Sequence, residues 1–251
     1  APFPKVLNVW QGMGYNRRAR YLKDAADKIL KKYKGEVPKD PKILESLPGI
    51  GHYTARAVTC FAYGKCEPFL ETNIRRVLIH FFGDSIYNSV IASEAKQSRR
   101  VGIAASRLPY LSLIVVETRN DKRMKERMIS DKELLRILSR IEPKTKKRDW
   151  YLALMDYGRE VLGKMSDNPN TRAKNYRTQS KFIGSRRYVR AKIISYLVAN
   201  PKGAGKQELY TLLSKDIYAK PFLEEKIFSF ILTVLVRDKL VEKKGSNWII
   251  V

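Results

Sequence analysis

The stretch Leu47-Pro48-Gly49-Ile50-Gly51-His52-Tyr53-Thr54-Ala55 decides how this chain is interpreted. A helical pattern precedes it, from Asp40 to Leu47, and another follows, from Tyr53 to about Ala62. Two glycines two residues apart let the backbone turn tightly and approach another group closely. The second helix directs the free N–H groups of its first turn outward, and such groups bind anions, including DNA phosphates. A simple structural turn between two helices is the alternative at this point.

The composition predicts a partner with negative charge. The chain has 251 residues, with 50 lysines and arginines against 25 acidic residues and a formal charge of +25. Nucleic acid is the first candidate partner and an anionic membrane surface the second. No apolar run reaches the roughly 20 residues of a transmembrane helix, and no signal peptide opens the chain. The two cysteines, Cys60 and Cys66, predict no disulfide framework, and the cytoplasm is the default compartment.

Basic residues gather at the start of a helix predicted from about Arg17 to Tyr33. Cations disfavour a helix N-terminus, so three arginines there indicate an external anion, while a solvated face is the alternative. The three residues are Arg17, Arg18 and Arg20. The helical period predicts a buried face formed by Leu22, Ala25, Ala26 and Ile29.

A second informative segment is Phe69-Leu70-Glu71-Thr72-Asn73. We expect a helix from Ile74 onward, capped by Thr72, which places Glu71 just outside the helix N-terminus. Residues from about 88 to 119 fit this pattern poorly and are interpreted as an insertion, with an amphipathic helix as the alternative.

The second half of the chain carries clear local signals. Ser130 and Glu133 form a capping box, and a helix is predicted from Asp149 to Leu162. Met165 to Arg187 is predicted to be a basic linker, either solvated or tracking phosphates. Three helices follow, predicted at Arg187 to Ala199, Gln207 to Leu213 and Phe222 to Asp238, and then a hairpin ending at Trp248 to Val251. This order is typical of a winged helix that binds DNA or protein, and Glu224 and Glu225 weaken the DNA interpretation of the last helix.

Together these stretches resemble the helix-hairpin-helix DNA glycosylase superfamily, and within it the MutY-like adenine glycosylases. The matching stretches are Val6 to Arg20, Leu47 to Ala55, Phe69 to Val77 and Ala153 to Gly158. The resemblance implies a mainly α fold. It implies a helix-hairpin-helix glycosylase domain over residues 1–164, a basic linker over 165–186 and a small winged-helix-like α+β domain over 187–251.

The resemblance also implies an activity, hydrolysis of the N-glycosidic bond of a flipped-out adenine opposite 8-oxoguanine or guanine. Glu71 holds the position of the catalytic Asp that stabilises the oxocarbenium-like sugar. Tyr53 and Asn73 are expected to line the substrate pocket. The residues expected to bind DNA are Tyr15, Arg17, Arg20, Gly49, Gly51, His52 and Arg75. His80 is expected to pack as an ordinary helix residue.

Tyr53 further separates two kinds of glycosylase. Members that resemble endonuclease III carry a lysine here, which forms a Schiff base with the sugar. A tyrosine does not form one, so the resemblance implies a monofunctional hydrolase.

Three departures from the family pattern accompany the match. The helix carrying the family's general-acid Glu is not present, which favours interpretation of the chain as a fragment. Residues Gly163 to Phe182 contain no cysteine, so no iron–sulfur cluster and no cofactor is expected. The C-terminal part does not resemble the family's 8-oxoguanine-sensing domain. We expect a cytoplasmic, nucleoid-associated monomer acting on mispaired double-stranded DNA. The alternative is a non-catalytic DNA-binding protein that retains the scaffold.

Overall fold

The computed structural model describes residues 1–84, 86 and 128–251 and is mainly α-helical, as the sequence predicted. The region expected to be an insertion, about 88–119, lies outside the described residues. In chain order the helices are α1 (Phe3–Val9), α2 (Arg17–Tyr33), α3 (Pro41–Glu45), α4 (His52–Tyr63), α5 (72–84), α6 (Asp131–Ile141), α7 (Lys147–Glu160), α8 (Arg186–Ala199), α9 (Lys206–Ser214) and α10 (Glu225–Arg237). The strands are β1 (Ala204–Gly205), β2 (Val241–Lys244) and β3 (Asn247–Ile250). None of the described helices combines the length and apolar character that a membrane crossing requires.

The chain divides into two compact units. Unit 1 comprises residues 1–38, 42–50 and 179–251, and unit 2 comprises residues 39–41 and 51–178. The domain boundaries expected at about residues 165 and 187 stay a prediction.

Unit 1 is built around one apolar core. Phe3 and Leu7 of α1 and Ala19 of α2 pack with buried residues of α8, α9 and α10, among them Ile193 and Phe228. The sheet order is β1-β3-β2, and all pairs are antiparallel. The predicted hairpin and the three helices before it are therefore confirmed, with helix ends shifted by no more than three residues.

Unit 2 has its own core, formed by α4, α5, α6 and α7. The side chains of Phe69, Ile74, Leu78, Leu134 and Tyr151 are fully buried in it. The predicted capping box at Ser130 is present, because its hydroxyl accepts the N–H of Glu133 while the Glu133 carboxylate accepts the N–H of Ser130. A single parallel bridge joins Ile129 to Ala173.

Two expectations about packing are wrong. Leu22 of α2 is 57% exposed and Ala26 is exposed, whereas Ala19 and Ala25 are buried. The predicted amphipathic helix is present and Ala25 is buried as expected, but Ala19, outside the predicted set, is the α2 residue that packs with Phe3 and Leu7 of α1.

The cysteines are the second correction. Cys60 and Cys66 form a disulfide in this structure, although the sequence predicted none. Cys60 lies in the last turns of α4, and the chain reverses direction directly after that helix, which returns Cys66 to 4.1 Å from Cys60 between Cα atoms.

Candidate active site

Glu71 occupies the N-terminal end of α5. This helix begins at residue 72, two residues earlier than expected, so Glu71 and not Thr72 is the capping residue. The Glu71 carbonyl accepts the N–H of Arg75 at 2.8 Å, and its carboxylate Oε2 accepts the N–H of Asn73 at 2.6 Å. A helix N-terminus stabilises negative charge, so the backbone itself holds the Glu71 carboxylate in place.

The amide of Asn73 fixes the second oxygen of that carboxylate. Its Nδ2 donates to Glu71 Oε1 at 3.3 Å, and its Oδ1 accepts from Arg76 Nη1 at 2.9 Å. A carboxylate only accepts hydrogen bonds and a guanidinium only donates them, so these two neighbours determine which way the amide faces. Glu71, Asn73 and Arg76 thus form one hydrogen-bonded chain.

Arg76 is anchored in turn by α7 and by the segment that follows it. Its Nη1 donates to the carbonyl of Gly158 at 2.5 Å, and its Nε donates to Asn168 Oδ1 at 3.2 Å. Gly158 has to be glycine, because a Cβ there would lie 2.3 Å from the carbonyl oxygen of Asn73. The sequence analysis missed Arg76 and Asn168. The available signals were the position of Arg76 inside the matched stretch and the Asn168-Pro169 pair, which is typical of a turn.

Part of the stretch expected to be linker is buried beside this network. Asn170 is 1% exposed, and its Nδ2 donates to the carbonyl of Thr72 at 3.0 Å. Ala173 is fully buried in the core of unit 2. The basic residues of this stretch predict a linker that is solvated or tracks phosphates, but Asn168 and Asn170 before them supply hydrogen bonds that bury a connecting segment.

Tyr53 lies close to Glu71 in unit 2. It projects from the first turn of α4, and its ring centre is 5.8 Å from that of Phe69, two residues before Glu71. Burial, and after it the negative charge of Glu71, raises the pKa of the Tyr53 phenol above its usual value. The phenol, although 37% exposed, therefore keeps its proton at neutral pH, which leaves an O–H group that can donate a hydrogen bond.

Tyr151 lies behind Phe69 and was not among the predicted site residues. The two rings stack with centres 4.4 Å apart. Tyr151 is fully buried, and its hydroxyl donates to Glu142 Oε1 at 2.8 Å. Burial, and then the hydrogen bond to Glu142, raises the pKa of the Tyr151 phenol strongly. Tyr151 supports the backbone that carries Glu71.

The two hairpin glycines, Gly49 and Gly51, differ in what surrounds them. In unit 1, Gly49 has φ +73°, and a Cβ there would lie 2.5 Å from Cβ of Tyr21. In unit 2, Gly51 caps α4 with an ordinary extended backbone, and a Cβ there would meet open space. Gly49 is thus required by internal packing, while Gly51 leaves room for a group from outside to approach the helix N-terminus.

His52 and Arg75, both expected to bind DNA, have partners within unit 2. Arg56 Nη1 lies 2.7 Å from His52 Nδ1. Since the guanidinium only donates, this nitrogen accepts, and Nε2 carries the ring proton. Arg75 forms a two-pronged ion pair with Asp131, through bonds of 2.9 and 3.0 Å. The roles of both residues at DNA stay predictions.

The remaining expected DNA-binding residues lie in unit 1. Tyr15 is 53% exposed with a positive φ of 50°, and Arg187 Nη1 donates to its hydroxyl at 2.9 Å. Arg17 lies 3.6 Å from Asp238, and Arg20 Nε lies 3.3 Å from Asp24 without hydrogen-bond geometry. Acidic neighbours therefore account for part of the arginine cluster at the start of α2, and its contact with DNA stays a prediction.

The described residues offer no site for a metal cluster. No group of three or more His, Cys, Asp or Glu side chains in residues 1–84, 86 and 128–251 is arranged to hold a metal ion. Both cysteines are bound to each other. The two cysteines of the chain are too few for a four-cysteine iron–sulfur cluster, and the expectation that the protein holds no cofactor stays a prediction.

Comparison with known proteins places these features in a family context. A helix-hairpin-helix motif model matches residues 32–61, which include the hairpin. An adenine DNA glycosylase of Mycobacterium tuberculosis is 49% identical over 73 residues, which cover 29% of this chain and 24% of that protein. A thymine/uracil-DNA glycosylase of Methanothermobacter thermautotrophicus is 41% identical over 73 residues, 29% of this chain and 33% of that protein.

A solved thermostable thymine-DNA glycosylase is also similar, at 23% identity with a TM-score of 0.44 over 69% of this chain and 63% of that one. The matches span about a quarter of the length of the first adenine DNA glycosylases found. The resemblance to MutY-like glycosylases is confirmed for the matched part of the chain.

Proposed function

We propose that this protein is a DNA repair N-glycosylase that hydrolyses a flipped-out adenine from a mispair with 8-oxoguanine or guanine. The observation that carries the proposal is the hydrogen-bonded Glu71 carboxylate at the start of α5, with Tyr53 beside it. The similarity to adenine DNA glycosylases supports the choice of base.

In the proposed reaction the bond between C1′ of the sugar and the base nitrogen breaks, and its electron pair leaves with the base. Positive charge then develops on the sugar ring, as in glycoside hydrolysis. The Glu71 carboxylate stabilises this charge from one side. Water adds its hydroxide to C1′, and its proton balances the charge of the departing base. Preorganisation by Asn73 and the helix N-terminus means that Glu71 does not reorient during the reaction.

Tyr53 supports a reaction of hydrolysis alone. It has no amine with which to form a Schiff base with the sugar, and in this proposal its phenol lines the base pocket. Borohydride reduction during turnover is therefore expected to trap no protein–DNA adduct. A trapped adduct would contradict the monofunctional assignment.

The decisive experiment is a single-turnover assay of the full chain on duplexes that contain A·8-oxoguanine or A·G. Glu71→Gln keeps the size of the side chain and an oxygen for the Asn73 N–H, but removes the charge. We expect it to lower the rate of base release by about a hundredfold or more. The matched control is Glu67→Gln, an exposed acid four residues upstream of Glu71 that pairs with Arg56.

Each outcome of this assay has a definite meaning. If Glu71→Gln releases base as fast as the unchanged protein, Glu71 is not the catalytic carboxylate. If the unchanged protein binds these duplexes and releases no base, the alternative of a non-catalytic DNA-binding protein is supported.

A second candidate substrate is thymine or uracil opposite guanine. It is favoured by the 41% identity to a protein named thymine/uracil-DNA glycosylase. Duplexes with T·G and U·G in the same assay separate the two candidates, because the adenine assignment requires faster release from A·8-oxoguanine.

A further inference from the structure

The C-terminal module, residues 186–251, contains a groove outside the candidate active site. It has a volume of about 420 Å³ and lies within unit 1, between α10 and the β2–β3 hairpin. Nothing in the proposed glycosylase reaction uses it, so its lining has to be explained separately.

One wall of the groove follows from the register of the hairpin. Val241 pairs with Ile250 and Lys243 pairs with Trp248, so these four side chains share one face of the sheet. Val241 and Ile250 pack against the core of unit 1. Lys243 and Trp248 occupy the same face and line the groove, and the partly buried Trp248 also packs against this core. The Lys243 ammonium lies 5.5 Å from the centre of the indole ring.

The opposite wall is one stripe of α10. Ser229, Leu232, Thr233 and Val236 lie at helical spacings of three and four residues and all line the groove. Leu232 and Val236 form an apolar floor on this stripe. The hydroxyls of Ser229 and Thr233 donate to Glu225 and to the Ser229 carbonyl, so this wall offers mainly apolar surface.

Charge in the groove is positive and only partly compensated. Lys206 donates to Glu225 and to Ser229 Oγ, so one lysine is paired. Lys243 makes no ion pair within the described part of the chain, and its ammonium lies over the Trp248 ring. The module holds 13 lysines and arginines against six acidic residues, so an approaching ligand meets a positive field.

We propose that this groove binds a nucleotide of unpaired, single-stranded DNA, with its base against Trp248 and its phosphate on Lys243. A phosphate alone would leave the indole and the apolar floor uncovered, and an apolar ligand would bury the Lys243 ammonium without a counter-charge. A nucleotide joins a flat ring to an anion, which matches the adjacent indole and ammonium. In a duplex the base faces are covered by stacking, so only an unpaired base offers a free face.

The test is nuclear magnetic resonance of the full chain labelled with ¹⁵N, titrated with a 5′-phosphorylated thymidine tetranucleotide. The chain has three tryptophans, and the indole N–H signal of Trp248 is the one missing in Trp248→Phe. We expect this signal to shift and to saturate. Lys243→Gln should raise the Kd about fivefold or more and lower the slope of log K against log salt by about 0.7, as for one lost single-strand phosphate contact.

Lys244→Gln is the matched control, because the neighbouring residue faces the opposite side of the same strand. It should leave the Kd within about a factor of two. The proposal is overturned if the Trp248 signal does not move, if inorganic phosphate moves it equally, or if both lysine variants lose affinity equally. It is also overturned if an acidic peptide moves the signal and the tetranucleotide does not, since the groove would then serve a protein partner. None of these outcomes depends on base release, so the glycosylase proposal is tested separately.

Discussion

At the residue scale, the sequence singles out Glu71 as the candidate carboxylate but does not reveal the residues that hold it. Its position before a helix and within a family-like stretch singled it out. The hydrogen bonds from Asn73, and the bonds of Arg76 to Gly158 and Asn168, join residues as many as 92 positions apart. No local pattern reveals such long-range partners, which is why Arg76 and Asn168 were missed.

Tyr151 yields a stability prediction at the same scale. Tyr151→Phe removes the hydroxyl that donates to Glu142, whose side chain is only 7% exposed. A buried hydrogen bond to a charged group contributes roughly 1.5–3 kcal/mol, so we expect the free energy of unfolding at neutral pH to fall by about 2 kcal/mol. Urea unfolding measures this change, with the exposed Tyr157→Phe on the same helix as the control.

The pH dependence of that difference has a definite sign. The pKa of Tyr151 is raised in the folded protein, while an unfolded tyrosine ionises near pH 10. The stabilising contribution is therefore complete below about pH 10 and is lost as the pH rises above it. Tyr151→Phe has no such loss. The difference in free energy of unfolding between the two proteins should therefore be smaller at about pH 10.5 than at about pH 8. A constant gap would contradict a buried, proton-retaining Tyr151.

At the element scale, the helices and strands that were predicted well are those with local signals. The capping box at Ser130 and the turn after Lys244 both depend on residues within a few positions of each other. The predicted buried face of α2 was wrong at Leu22 and Ala26, because which residues of a helix are covered depends on its packing partners, such as α1 at Ala19. The disulfide was missed for a related reason, since its geometry depends on the chain reversal after α4.

Substitution of the two hairpin glycines, Gly49 and Gly51, should change the free energy of unfolding by different amounts. Gly49→Ala places a Cβ 2.5 Å from Tyr21 at a positive φ, and we expect it to lower the free energy of unfolding by roughly 2–3 kcal/mol. Gly51→Ala has space and an ordinary φ, so its effect on stability should stay below about 1 kcal/mol.

For binding of duplex DNA the order should be reversed, with Gly51→Ala weakening the affinity more than Gly49→Ala. If a phosphate approaches the start of α4, the methyl group of Gly51→Ala intrudes on that approach and weakens binding about threefold or more. Chemical denaturation and fluorescence polarisation on the same samples separate the two effects. Equal loss of stability in both variants would contradict the different roles of the two glycines.

At the scale of the whole molecule, composition predicts the kind of partner, while the division into compact units follows from long-range contacts. Unit 1 unites α1 and α2 with α8, α9 and α10, although more than 150 residues separate them in sequence. Sequence patterns report local composition, so domain boundaries predicted from them fall where the composition changes. They do not report which distant segments pack together. Charge, by contrast, is a sum over all residues and does not require the fold.

The net charge of +25 leads to the last prediction. Lysines and arginines that contact phosphates displace condensed counterions, and each contact makes binding weaker as salt rises. We expect the affinity for an A·8-oxoguanine duplex to fall by about tenfold or more between 50 and 200 mM salt. Fluorescence polarisation measures this slope, and a peptide nucleic acid duplex of the same sequence, which has no phosphates, serves as the control. If affinity for DNA stayed constant across this range, phosphate contacts would not be the source of binding, and the excess of basic residues would need another explanation.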